Sequence, residues 1–269
     1  MISPLDLRPL RAGHVDTWFC FTNDHRLNSR IELYEAMLSA AELQQYQQLK
    51  HADNARDYLV SRALLRTVLA EYCDFKPEEL CFRVNDFGKP ELDHAELLTS
   101  IQFNTAHTRG LTVCVVTQDN VVGVDVECRT ESSGILSVAD DYFSPLELQA
   151  LKSRSAEQQL DYFYRYWTLK EAYIKARGEG LSVPLYDFSV LLDDDGEFKE
   201  FIGPEAERWD FSVLAQNTEY TASLAMGGKL GDFSFYNSVP LGPQYENTAA
   251  NAFRHTGAAS KASRRSMNG

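Results

Sequence analysis

Apolar positions recur at helical spacing in two long stretches of the chain, and a short capped helix precedes each of them. The first short helix is S-A-A-E-L-Q-Q-Y-Q-Q-L, residues 39–49, where Ser39 can cap the helix and Glu42, three residues on, can reach back to it. A longer helical pattern runs over 54–72, with Leu59, Ala63, Val68 and Leu69 among its apolar positions. The segment S-P-L-E-L-Q-A-L-K-S repeats the arrangement, with Ser144 as cap, Pro145 at the first helical position and Glu147 as the third residue. It leads into a second long helix over 157–177, ended by Gly178. The two copies share S-x-x-E-L-Q at an offset of 105 residues (39 to 144), which lays Arg62 over Trp167 and Arg66 over Glu171. Strand-like runs follow each copy: C-F-R-V from Cys81 and L-T-V-C-V-V-T from Leu111, then D-F-S-V-L-L from Asp187 and Y-T-A-S-L-A-M from Tyr220.

This repetition predicts an α+β fold of two similar halves related by a pseudo-twofold axis. Each half is expected to have a small antiparallel sheet packed on helices, with the ligand site in the cleft between them. The halves are expected at 1–118 and 119–241, joined at the turn Gln118 to Asn120. Residues 242–269, rich in Asn, Ala and Ser with a basic end, are expected to be a disordered tail.

Composition narrows the function classes. With 44% hydrophobic and 24% charged residues the chain reads as a soluble globular protein. No run approaches the ~20 apolar residues of a membrane span. The start, M-I-S-P-L-D-L-R-P-L, lacks a basic region followed by an apolar one, so a cytoplasmic location is expected. Five scattered cysteines, none in a C-x-x-C spacing, fit reduced thiols. A net charge of −13 opposes binding to nucleic acid or an anionic membrane, and neither is expected as a partner. A polyanionic ligand must therefore be met by a local basic patch.

Four short segments carry candidate chemistry. V-V-G-V-D-V-E, 121–127, is a β-branched run ending in two acids, and strand alternation puts Asp125 and Glu127 on one face. Two carboxylates so placed suit a hard cation such as Mg²⁺, although a solvated acid pair at a strand end has the same spelling. In W-T-L-K-E-A-Y-I-K, 167–175, helical spacing aligns Trp167, Glu171 and Lys175, with Lys170 beside them. An exposed Glu–Lys pair would look the same, but the large aromatic implies a covered face on which Glu171 needs a partner. F-N-T-A-H-T, 103–108, reads as a polar loop just before a strand and carries His107; F-G-K-P, 87–90, reads as a turn with one lysine.

In this order and at these separations the four segments resemble the surfactin-type 4′-phosphopantetheinyl transferases. The motifs span Phe87 to Lys175, and the resemblance in layout extends over about residues 1–240, without the tail. It implies the two-half fold and the transfer of the 4′-phosphopantetheine arm of coenzyme A to a serine of an apo acyl or peptidyl carrier protein, with Mg²⁺, releasing 3′,5′-ADP. It makes Asp125, Glu127 and Glu171 the Mg²⁺ ligands, Lys175 a catalytic contact to the pyrophosphate, and His107 a phosphate contact. Lys89 and Pro90, with neighbouring backbone, fall in the adenine and 3′-phosphate pocket, and Arg56, in A-R-D-Y-L, matches a basic position at the 3′-phosphate. Glu171 is the expected base for the carrier serine, with a metal-polarised water as the alternative. Two departures stand out: Ala106 precedes the histidine where relatives often have serine, and Glu42 to Gln45 replace lysines that some relatives carry. The rival readings are another Mg²⁺-dependent phosphohydrolase, or a non-catalytic module that binds coenzyme A or a carrier protein. A cleft completed within one chain leads us to expect a monomer.

Overall fold

The computed structural model describes residues 10–73, 75–93, 101–129, 134–242 and 244–247. The first strand among the described residues is β1 (Val15–Phe21), followed by helices α1 (Ile31–Met37), α2 (Ala40–Gln48) and α3 (Ala52–Cys73). A small hairpin, β2 (Phe82–Val84) and β3 (Pro90–Leu92), comes next, then β4 (Ile101–Thr108), β5 (Leu111–Gln118) and β6 (Val122–Cys128). Helices α4 (Ile135–Tyr142), α5 (Pro145–Lys152) and α6 (Ala156–Arg177) follow. The last strands are β7 (Ser189–Leu192), β8 (Phe198–Ile202), β9 (Trp209–Gln216), β10 (Tyr220–Gly227), β11 (Phe233–Ser238) and β12 (Gln244–Asn247).

Both capping boxes form. Ser39 accepts from the Glu42 amide and Glu42 accepts from the Ser39 amide, and Ser144 with Glu147 does the same, with Pro145 in the first turn. Gly178 closes α6 in the left-handed conformation at φ 69°, which glycine adopts without steric penalty.

A five-stranded sheet, ordered β12-β11-β1-β5-β4, and a three-stranded sheet, ordered β6-β10-β9, make the centre of the molecule. Pairing is antiparallel except between β1 and β11, which run parallel. Alternation along β1 and β5 sends Trp18, Cys20, Cys114 and Val116 against α3, where they meet Leu59, Ala63, Leu64 and Val68. The other face presents Phe19, Val113 and Val115 to Val122, Val124 and Val126 of β6 and to Leu224 of β10. Outside the second sheet lies α6, whose Leu169, Tyr173 and Ile174 pack with Phe188, Phe201 and Phe211. The layers are thus helix, sheet, sheet, helix, with both sheets buried on two faces.

Three sequence expectations change. The segment holding His107 is strand rather than loop: β4 pairs with β5 from Ile101↔Gln118 to Thr108↔Leu111, closing over Arg109 and Gly110. Its polar side chains satisfy a neighbouring strand, since Asn104 Oδ1 accepts from the Val124 amide at 2.9 Å and Thr108 Oγ1 from the Cys128 amide at 3.1 Å. The two long helices align at an offset of 104 (52 to 156), because the first short helix has nine residues and the second eight. Arg66 therefore corresponds to Lys170 and not to Glu171, and Arg62 to Tyr166. The segment expected as tail contributes β12, paired with β11; its remainder, 248–269, lies outside the described residues.

Candidate active site

Burying Val122, Val124 and Val126 against the first sheet turns the alternate positions Gly123, Asp125 and Glu127 towards α6. Gly123 sets how closely the helix approaches: a Cβ there would stand 2.1 Å from the Ala172 carbonyl oxygen and 2.3 Å from the Ala176 amide nitrogen. Only glycine permits this contact, and it brings the acids of β6 alongside the charged face of α6. Lys175 Nζ donates to Asp125 Oδ1 at 2.5 Å, and Trp167 Nε1 donates to Glu127 Oε1 at 3.3 Å. The ring of Trp167 is held in turn by Tyr142, edge-on at 5.6 Å between centroids.

Too much negative charge is gathered for its surroundings. Burial, then the nearby Asp125 carboxylate, push Glu127 up to about 7. Glu171 is raised by the same two causes. Burial works against the charge of Lys175, yet the Asp125, Glu171 and Glu127 carboxylates outweigh it and raise its pKa. Asp125 Oδ2 is buried without a hydrogen-bond partner among the described residues. No three His, Cys, Asp or Glu side chains among those residues are gathered into a metal-holding set as they stand. The orphaned Asp125 oxygen, the excess of carboxylates and their hard oxygen donors nonetheless suit a divalent cation such as Mg²⁺.

Two cavities meet at this wall. One, of about 380 Å³, is lined by Phe87, Lys89, Asn104, Glu171 and Ile174 among others; the second, of about 890 Å³, is lined by Tyr58, Arg62, Ala106, His107 and Arg109 among others. Gly88, Pro90, Thr105 and Lys175 border both, which makes them lobes of one cleft. His107 is exposed on β4, but it stands in the concave wall, where loss of solvent and the charges of Arg62 and Lys175 lower its pKa against the opposing pull of Asp57 and Asp125.

A profile described as the 4′-phosphopantetheinyl transferase superfamily matches residues 121–225, and one described as 4′-phosphopantetheinyl transferase, N-terminal, matches 26–119. A 4′-phosphopantetheinyl transferase of Bacillus subtilis is 35% identical over 189 residues, covering 70% of this chain and 75% of that protein. The chain belongs to the 4′-phosphopantetheinyl transferase superfamily. It is accordingly an enzyme of phosphopantetheinyl transfer. The transferase HetI of Nostoc is 30% identical over 200 residues, covering 74% of this chain and 83% of HetI. The transferase Sfp of Bacillus subtilis strain 168 is 30% identical over 166 residues, covering 62% and 71%.

Within this phosphopantetheinyl transferase the structure gathers most of the residues that the motifs singled out. Asp125, Glu127, Glu171, Lys175 and His107 act on one another electrostatically, and Pro90 lines both lobes. Lys89 lines the smaller lobe, but its ammonium donates to the Ala176 carbonyl at 3.0 Å and the Val122 carbonyl at 3.3 Å. Burial there lowers its pKa to about 8. Together with Asn85, which donates to the Gly178 carbonyl at 2.7 Å, it fastens the F-G-K-P turn to the C-terminus of α6.

Arg56 lines neither of these two lobes. Its guanidinium donates to the Thr22 carbonyl and, at 3.2 Å, to the Asp24 carbonyl, beside an adjoining cavity of about 470 Å³ that shares Asp53, Asp57 and Arg109 with the larger lobe. Arg62 lines the wall of the larger lobe. Six residues along a helix is a turn of about 240°, so the two arginines face different ways. Arg62 lies over the Tyr58 ring at 5.6 Å, and its Nε is buried without a hydrogen-bond partner among the described residues. The signal that could have found it was the i,i+4 pairing of Tyr58 with Arg62. Lys170 leaves the charged face altogether and is buried against Glu147.

Proposed function

We propose that this enzyme transfers the 4′-phosphopantetheine arm of coenzyme A to a serine of an apo acyl or peptidyl carrier protein and releases 3′,5′-ADP. The observation that carries the reading is the two-lobed cleft lined by Glu171, Lys175 and His107, with Asp125 and Glu127 coupled to Lys175 behind its wall. Mg²⁺ held by Asp125, Glu127 and Glu171 would supply positive charge to the pyrophosphate as its bond breaks. In the larger lobe Arg62, His107 and Lys175 present donors to the phosphates of coenzyme A, whose adenine end lies against Pro90 and the backbone of Gly88 and Lys89.

Glu171 lines the smaller lobe beside Lys175, and a carboxylate oxygen there not engaged by the metal takes the proton of the incoming serine hydroxyl. The oxygen then attacks the β-phosphorus and the bond to the 3′,5′-ADP leaving group breaks, with Lys175 and His107 offsetting the charge that develops on it. The nucleophile comes from the carrier, and the whole cleft lies within one chain, so the working unit is a monomer divided at 118/119 into two halves. The enzyme acts in the cytoplasm with neither membrane nor nucleic acid as partner, a reading that rests on its net charge of −13; no helix among the described residues is long and apolar enough to cross a membrane.

Chromatography of 3′,5′-ADP tests the reading. Release is expected only when coenzyme A, Mg²⁺ and an apo carrier protein are present together. Release at the same rate without carrier would replace it with phosphohydrolysis, and coenzyme A binding without release in any mixture would leave a binding module.

A further inference from the structure

The capping-box glutamate of each half ends on a buried cation of the long helix that follows. In the first half Glu42 Oε2 accepts from Arg66 Nη2 at 2.5 Å, and Arg66 also donates to the Pro77 and Leu80 carbonyls at 2.9 Å. In the second half Lys170 Nζ donates to Glu147 Oε1 at 2.8 Å, Glu147 Oε2 at 2.7 Å and the Phe188 carbonyl at 2.7 Å. Each cation also lies over a phenylalanine ring, Phe82 at 5.2 Å and Phe188 at 4.1 Å. The repetition of glutamate, cation and ring makes the pair a duplicated device.

The second copy is the more completely enclosed. Both its side chains are 0% exposed, whereas Glu42 keeps 13%. All three N–H bonds of Lys170 are used, and Glu147 accepts further from the Ser144 amide at 2.8 Å and the Val190 amide at 2.8 Å. One carboxylate therefore joins the start of α5, strand β7 and the middle of α6. Its lysine immediately precedes Glu171. Neighbouring residues on a helix point about 100° apart, so fixing Lys170 on the α5 side fixes Glu171, and Lys175 one turn on, towards β6.

On the reading that Glu171 and Lys175 serve phosphopantetheinyl transfer, we propose that Lys170 and Glu147 are positioning residues that set the rotation of α6 against β6. Neither touches the cleft. The hydrophobic contacts of α6 are non-directional and allow small rotations, whereas five hydrogen bonds converging on one buried pair do not. Misplacement of reacting groups by about 1 Å can cost on the order of a hundredfold in rate.

Lys170→Met alone leaves a buried carboxylate unpaired and can fail to fold, so the informative variant is Lys170→Met with Glu147→Gln, which removes both charges while keeping volume. Two readouts apply to the full chain. The indole N–H resonance of Trp167, which donates to Glu127 from α6, reports helix rotation without any need for turnover. In the folded double variant it is expected to shift while that of Trp18 stays, and the matched change Arg66→Met with Glu42→Gln is expected to leave it in place. With coenzyme A, Mg²⁺ and apo carrier, kcat is expected to fall about tenfold to a hundredfold with the KM for carrier unchanged. A folded double variant with an unmoved Trp167 resonance and wild-type kcat would overturn the inference. If the wild-type chain transfers nothing, the proposed function falls, and the resonance still decides whether the pair orients α6.

Discussion

Asp125, Glu127 and Glu171 crowd around Lys175, and Lys175 with the Trp167 indole compensates only part of their charge. In metal-free protein, Glu127, raised from an ordinary value of 4.5 to about 7, holds a proton that the unfolded chain has already released. Its stabilising share is complete below about 4.5 and is lost as pH rises through about 7. The melting temperature of EDTA-treated protein should therefore decline between pH 5 and pH 8, and Glu127→Gln should flatten that decline; parallel curves would remove Glu127 as its source. Glu171→Gln should lower kcat by about a hundredfold or more while the Kd for coenzyme A changes little. Unchanged turnover would remove Glu171 as the base. Arg62→Ala should weaken coenzyme A binding in calorimetry by about tenfold, on the order of one charged hydrogen bond, and Arg56→Ala should not. The reverse ranking would make Arg56 the stronger contact to coenzyme A.

At the scale of elements, the close crossing of β6 and α6 decides whether the acids and Lys175 meet. Gly123→Ala puts a methyl group into the Ala172 carbonyl and must push the helix away. It should reduce turnover at least as strongly as losing one acid and cost about 1–3 kcal/mol of stability, read by urea unfolding and initial rates. Wild-type activity in that variant would mean that the crossing tolerates movement. The capped helices, the long helices and the strand of Asp125 were legible because caps and apolar periods are local. The strand of His107 was not. Its polar residues Asn104 and Thr108 read as loop because their partners, the amides of Val124 and Cys128, belong to a strand that only the fold brings alongside. The offset between long helices was misread for a related reason, since a one-residue difference in a short helix leaves no mark in the capping boxes that set the alignment.

Across the whole molecule the two halves are joined at several places, among them the turn held by Asn85 and Lys89 against the end of α6. Side chains of β4 satisfy the backbone of β6, and the late strand β11 returns to lie parallel with β1, where Tyr236 stacks on Trp18 at 4.2 Å between centroids. The two-half α+β architecture was legible from the repeated helices. The return of β11 was not, because it depends on a pairing across most of the chain. Of the site, the carboxylates, Lys175 and His107 were readable as short motifs. The sequence singled out Arg56 and passed over Arg62, which lines the larger lobe, because arginines on one helix differ only in the face they present. A net charge of −13 sits oddly with acidic carrier proteins, and docking must rely on local basic and apolar groups near the cleft rather than on overall attraction. The most direct measurement is the intact mass of an apo acyl carrier protein incubated with this enzyme, coenzyme A and Mg²⁺, beside an EDTA control. A gain of about 340 Da, the phosphopantetheine arm added as a phosphoester, is expected with metal and not with EDTA. An unchanged mass across fatty acid, polyketide and peptide carriers would contradict phosphopantetheinyl transfer by this chain.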